Sequence, residues 1–203
     1  KKIKKINTLI DIGSNQGQFI LLCLKFFPNL TVYSFEPIKE IFEKQKNFFR
    51  FKKKIYTFNF GIGNKNKNLS FFITKRKDSS SFLTYNGSSH YNRDYLLTEK
   101  RNIKISKLDQ VLKNKKLIRP ILIKIDVQGY ELEVLKGSKE ILSKIDYLLV
   151  EVSKNRMYNN QATEREIVSF LKNKKFTKLK SSKWMRIKNT QFVQRDILFK
   201  RKT

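Results

Sequence analysis

Two rhythms alternate along the chain. Continuous apolar runs, "NTLIDIG", "LTVYSFEP", "KIYTFNF", "PILIKIDV" and "DYLLVEVS", have the length of buried strands and are too short for helices. Between them apolar residues recur every three or four positions, as in "NQGQFILLCLKFF", "KEIFEKQKNFFRF", "YELEVLKGSKEIL" and "TEREIVSFLKNK". That spacing predicts amphipathic helices, the third with Leu132, Leu135 and Ile141 on its apolar face. Pro28 follows the first helix and Pro37 stops the second strand. Ser106 with Asp109 predicts a capped start for a short helix "KLDQVL", and Thr163 a cap for the last helix. "LSFFI" and "NIKIS" read as short extra strands, and "KFTKLKSS" with "QFVQRDILFKRK" as a closing antiparallel pair. Residues 74–99 are polar and irregular, a length of loop associated with function or motion.

Repeated strand–helix alternation implies an α/β domain, residues 1–203, with a largely parallel sheet and helices on both faces. Ligands in such sheets sit beyond the carboxyl ends of the strands. The residues there are Asp11, Glu36, Asn59, Asp126 and Glu151. Four of the five are acids, in a chain with only 17 Asp and Glu.

The turn after the first strand tells which ligand to expect. "DIGSNQGQF" spaces its glycines as Gly13 and Gly17, without the middle glycine of a dinucleotide fingerprint and without the Gly-Lys-Ser/Thr of a P-loop. Asp11 at the mouth of the turn repels a phosphate and suits a cation. S-adenosylmethionine carries an ammonium and a sulfonium and no phosphate. Glu36, ending "TVYSFEP", is placed to accept hydrogen bonds from two ribose hydroxyls, as the equivalent acid does in dinucleotide sites. "FGIG" follows the third strand, where Asn59, Phe60 and Gly61 would lie beside the adenine; an ordinary turn is the competing reading.

Composition changes this picture in one respect. Lys and Arg number 45, and the formal net charge is +28. Such a charge points to an anionic partner, nucleic acid included. The lysines are spread over nearly every segment, however, and accompany many Asn, Ile and Phe, so A/T-rich codon usage explains them as well. The single cysteine, Cys23, lies in a helical pattern and reads as packing; it excludes an internal disulfide and a cysteine-based zinc site. No apolar run has the length of a membrane span and no signal-peptide pattern is present, so a cytoplasmic protein is expected. The chain starts at Lys1 rather than Met, as a fragment would.

"LIKIDVQGYELEVLKGS", with "DIGSNQGQF", "FEP", "SSSF", "KLDQVL", "LLVEVS" and "RDILFKR", resembles the FkbM-type methyltransferase family over nearly the whole chain. The resemblance implies a Rossmann-like class I methyltransferase fold, a mostly parallel seven-stranded sheet whose last strand is antiparallel. It implies S-adenosylmethionine as cofactor and hydroxyl oxygens of sugars, glycans or other small molecules as acceptors. The expected donor-site residues are Asp11, Gly13, Ser14, Asn15, Gly17, Phe19, Glu36, Pro37, Asn59, Gly61 and Asp126. Many family members carry an acid where this chain has Gln128, and the usual segment before the first strand is largely absent.

A hydroxyl acceptor must lose its proton as it attacks, which calls for a base within hydrogen-bond reach. Asp126 at the end of the fourth central strand is the first candidate, with Lys124 on the same face as its partner. Glu151 flanks it from the next strand. His90, the only histidine, is a further candidate on the long loop, where Tyr85, Tyr91, Tyr95 and Arg93 are suited to stack on an acceptor. Glu131 reads as a cap of the following helix ahead of a group facing the substrate, and Trp184 and Met185 as core ahead of pocket wall. Asp126 and Glu151 are only two carboxylates, so no metal is expected. Two other functions compete: an RNA methyltransferase, on the strength of the charge, and a binding protein that kept the fold without catalysis.

Overall fold

The computed structural model describes residues 3–87, 92–188 and 190–202. The first half contains β1 (Thr8–Ile12), α1 (Gln18–Phe26), β2 (Thr31–Phe35), α2 (Lys39–Phe48), β3 (Ile55–Phe58), β4 (Gly61–Ile62) and β5 (Lys67–Thr74). Two 3₁₀ turns, Lys77–Ser79 and Arg93–Tyr95, lead to β6 (Leu97–Ser106) and α3 (Leu108–Leu112). Then come β7 (Ile121–Ile125), α4 (Glu131–Lys136), α5 (Lys139–Leu142), β8 (Tyr147–Ser153), α6 (Glu164–Asn173), β9 (Phe176–Ser181), β10 (Met185–Arg186) and β11 (Val193–Arg201).

The main sheet runs β3-β2-β1-β7-β8-β11, with β9 and the short β10 both on the far side of β11. The first five strands are mutually parallel, while β11 is antiparallel to β8 and to β9. This is the arrangement that the resemblance implied, a mostly parallel sheet with an antiparallel last strand, with one short strand, β10, added. Pleating divides each strand between two apolar layers. Ile10, Ile12, Ile123, Ile125, Leu148 and Val150 pack with α3 to α6, whereas Leu9, Val32 and Leu122 pack with Ile20 and Cys23 of α1. The alternation also puts Asp11, Ser34, Lys124 and Glu151 on the α1 side, one step further along their strands than its apolar residues. Among the described residues no helix is long and apolar enough to cross a membrane.

Several sequence expectations need correction. "LSFFI" and "NIKIS" belong to longer strands, β5 and β6, which form a separate three-stranded sheet with β4, β6 lying in the middle. That sheet lies against α2 through Ile38, Ile41, Phe71 and Ile73. Asp109 does not form a capping pair with Ser106 at α3. Its carboxylate accepts from the N–H groups of Glu140 and Ile141, at 3.1 and 2.9 Å, and so caps α5. The segment expected as one helix from Tyr130 to Leu142 breaks into α4 and α5 at Gly137 and Ser138. The break lets the chain pass directly over the Gly63 carbonyl: a Cβ at Gly137 would sit 1.9 Å from that oxygen. Trp184 and Met185 are not core; they are 37% and 59% exposed, and Trp184 stacks on the Arg195 guanidinium at 4.2 Å. Thr163 caps α6 in a complete capping box with Glu166.

Gly137 has an ordinary φ of −85°, so backbone strain does not demand glycine there. Steric exclusion alone should make Gly137→Ala destabilising, by about 1–3 kcal/mol, the usual cost of overpacking. Urea unfolding of the two proteins measures it; equal midpoints would show that the α4–α5 break tolerates a side chain.

Candidate active site

A cavity of about 680 Å³ opens at the carboxyl ends of β1, β2, β7 and β8. Its floor is the turn joining β1 to α1. Gly13 and Gly17 have φ of 79° and 86°, conformations that side chains rarely adopt. A Cβ at Gly13 would meet the Asp126 carbonyl oxygen at 1.9 Å, so this glycine allows two strand ends to touch. The Gly13 and Ser14 N–H groups donate to the Phe35 carbonyl.

Beneath the turn lies a buried polar cluster. The Ser34 hydroxyl lies 2.7 Å from that of Ser14 and 2.8 Å from Gln45 Oε1, while Gln45 Nε2 donates to Ser14 Oγ at 2.9 Å and to the Asn15 carbonyl at 2.8 Å. Ser34 and Gln45 were not anticipated as site residues. A signal for Gln45 exists in the sequence: it follows Ile41 by one helical turn and so falls on the apolar face of α2.

Glu36 is 5% exposed. Its two oxygens accept from the N–H groups of Asn15, at 2.9 Å, and Ile38, at 2.8 Å. Burial pushes its carboxyl up to about 7, against the pull of those two N–H groups. Asn59, expected beside a base, does not line the cavity; its amide donates to the carbonyls of Glu36 and Pro37 and holds that corner in place. Ser14, Asn15, Phe19, Glu36, Pro37, Gly61 and Asp126 do line the cavity, with Phe60 beside them.

Asp11 and Gly17 lie behind the wall. Asp11 is fully buried, and neither carboxylate oxygen has a hydrogen-bond partner among the described residues. Burial pushes it up to about 6; Lys124 opposes that shift and Asp126 adds to it. Lys124 is the register partner of Asp11 on β7. Its ammonium binds Asp126 Oδ2 at 2.9 Å and lies 5.5 Å from the centre of the Phe19 ring. Burial alone would weaken its hold on the proton, but Asp126, Asp11 and Glu151 reverse this and keep it charged.

Gln128 connects the two remaining acids. Its Nε2 donates to Asp126 Oδ1 at 2.9 Å and to Glu151 Oε2 at 3.1 Å, and its Oε1 lies 3.2 Å from the Tyr158 hydroxyl. The opposite amide orientation would turn an oxygen toward two carboxylates, so the contacts fix which way the amide points. Gln194 also donates to Glu151, at 3.0 Å. Burial, then the charges of Asp126 and Glu131, hold the Glu151 carboxyl well above the usual range. Glu131 accepts from the N–H groups of Val127 and Gly129, at 3.2 and 2.9 Å, and fastens the turn carrying Gln128. Gln194 and Tyr158, distant in the chain, had no local signature. Among the described residues no three His, Cys, Asp or Glu side chains form a metal set.

The outer wall comes from the connection between β5 and β6 and from the β10–β11 hairpin. Tyr85, expected to stack on a ligand, instead stacks on Tyr95 at 4.3 Å and meets Tyr158 and Phe192 edge-on. Tyr95, 4% exposed, still touches the cavity. Backbone bonds from Asn86 to Met157 and from Asn159 to Thr84 fasten the connection to the segment after β8. His90 and Tyr91 lie outside the described residues.

The Methyltransferase FkbM domain family matches residues 11–178. Hexuronic acid methyltransferase AglP of Haloferax volcanii is 26% identical over 147 residues, 72% of this chain and 56% of the relative. 2-O-methyltransferase NoeI of Sinorhizobium fredii is 24% identical over 80% of this chain and 70% of its own length. The chain thus spans little more than half of the first relative. The structure of M. capricolum TrmK with S-adenosyl-homocysteine superposes with a TM-score of 0.55 at 12% identity, covering 98% of this chain and 64% of that one, a likeness of fold. With the Gly13–Gly17 turn, Glu36 and Asp126 all inside the matched span, the chain belongs to the FkbM methyltransferase domain family.

Proposed function

We propose that the protein transfers a methyl group from S-adenosylmethionine to a hydroxyl oxygen of a sugar, glycan or other small molecule, with Asp126 as the base. One observation carries the assignment. Asp126 opens on the cavity with Oδ2 held by Lys124 and Oδ1 by Gln128, directly beside the Gly13 turn. The names of the two curated relatives, one a hexuronic acid methyltransferase and one a 2-O-methyltransferase, support an oxygen acceptor on a sugar-like molecule.

The residues present fit this donor. The turn from Gly13 to Gly17 carries no Lys or Arg to meet a pyrophosphate. Asn15 Oδ1 is a buried acceptor at the cavity wall without a partner among the described residues, which suits an ammonium group. Each Glu36 oxygen has accepted one backbone N–H and keeps a second lone pair for a ribose hydroxyl. When bound, S-adenosylmethionine supplies an electrophilic methyl group whose leaving thioether needs no acid. The work left to the chain is positioning and removal of one proton. Lys124 and Gln128 orient Asp126 toward the acceptor hydroxyl. Glu151, which holds its own proton tightly, leaves that role to Asp126. Two carboxylates with environments this different are suited to different tasks.

Asp126→Asn keeps the bond to Lys124 possible but removes the base. It should lower kcat by roughly 100-fold or more, within the usual range for general-base removal, and S-adenosylhomocysteine should still bind. A variant that retains wild-type kcat would remove Asp126 from the mechanism.

Glu36→Ala should weaken S-adenosylhomocysteine at least tenfold, about 1.4 kcal/mol, by calorimetry. The pH dependence follows from its carboxyl near 7. Below that value Glu36 is protonated; above it the ionised carboxylate accepts the ribose hydroxyls more strongly. Affinity should therefore rise as the pH is raised through about 7, and Glu36→Gln should flatten the rise. A wild-type profile flat across that range would place the ribose elsewhere.

A further inference from the structure

The inner half of the cavity is lined by carboxyl groups and the outer half by cations. Glu36, Asp126 and Glu151 line its floor, where Lys124 is already committed to Asp126. At the mouth stand Arg76 and Lys77, from the first 3₁₀ turn, and Arg186 and Lys188, from the β10–β11 hairpin. Arg76 is bound to Asp78 at 2.7 Å. Among the described residues, Lys77, Arg186 and Lys188 are not ion-paired.

In a chain this basic, scattered lysines are expected on every face. These three cations differ in that two remote segments bring them to one opening. The second 3₁₀ turn joins the two segments: the Arg76 N–H donates to the Asp94 carbonyl at 3.0 Å, the Asn92 amide donates to the Lys188 carbonyl at 2.9 Å, and Tyr95 and Phe192 share one apolar cluster. Met185 and Ile187 line the same stretch of wall and offer apolar surface between the charges. An acid-lined floor with an unpaired basic mouth suits a cationic group deep in the cavity and an anionic one outside it.

We propose that Lys77, Arg186 and Lys188 form an anion subsite, so that the acceptor is a sugar bearing a carboxylate or phosphate close to the hydroxyl that is methylated. This rests on the sugar O-methyltransferase reading above and narrows its substrate class. Attraction at an open mouth is screened by salt, so the preference it creates weakens as ionic strength rises.

The test compares kcat/KM for methyl uronides of gluco, galacto and manno configuration with the matching neutral methyl glycosides and hexose 6-phosphates. Wild type should prefer an anionic member of a set at least about tenfold, and this ratio should shrink in high salt. A higher rate with uronides identifies the anion as a carboxylate, and a higher rate with hexose phosphates identifies it as a phosphate. In Arg186→Gln/Lys188→Gln the ratio of anionic to neutral turnover should fall at least fivefold, while Arg186→Lys/Lys188→Arg should keep it. Turnover of neutral glycosides as fast as anionic ones, or a ratio the Gln variant leaves intact, would overturn the subsite and leave the sugar reading standing. A wild type that binds S-adenosylhomocysteine and methylates RNA but no sugar in the panel would overturn both.

Discussion

The site depends on one buried ammonium. Lys124 stands on the central strand β7 among Asp11, Asp126 and Glu151, all of which act on its charge. Burying a lone charge costs several kcal/mol, and removing one partner of a buried pair leaves the other uncompensated. Without Lys124, Asp11 would have no positive charge to offset its burial, since neither of its oxygens has a hydrogen-bond partner among the described residues. The lysine thus lets three carboxylates approach the same strand ends. It also ties β1 to β7 electrostatically at the place where Gly13 ties them sterically.

Gln128 does for the outer carboxylates what Lys124 does for the inner ones, without adding charge. One amide nitrogen reaches both Asp126 and Glu151, and Tyr158 stands at its oxygen. The resemblance to FkbM proteins suggested an acid at this position. An acid here would put a third carboxylate against two others, and like charges at such range resist joint ionisation. The neutral amide relieves that crowding. It also exposes donor hydrogens that give Asp126 a single orientation toward the cavity.

Some of this was legible in the chain and some was not. The strand-end acids, the Gly13–Gly17 turn and the sequence of strands and helices follow from local pattern, because each is set by residues a few positions apart. The split between α4 and α5 was hidden. "LKGSKE" keeps helical spacing, and only the Gly63 carbonyl lying over Gly137 shows why the helix stops. Asp109 looked like a cap for its own helix and turned out to cap another, since any exposed pair of N–H groups within reach satisfies a carboxylate equally well. Trp184 misled for a related reason. It read as core, but stacking on Arg195 allows a large ring to stay at the surface.

The sequence by itself determined the fold class, the largely parallel sheet and the acids at the carboxyl ends of its strands. Those depend on hydrophobic period and turn chemistry, which are local and written in order. The tertiary structure decided what each polar group is for. It showed that Asp11 lies behind the wall and Asn59 braces a corner, while Gln128 and Gln194 hold the acids, Tyr158 stands at the Gln128 amide and Gln45 braces the glycine turn. It also gathered Lys77, Arg186 and Lys188 around one opening. Hydrogen bonds and charge pairs are satisfied by whatever comes within about 3 Å, and which groups come that close is a property of the packed sheet and not of neighbours in the chain.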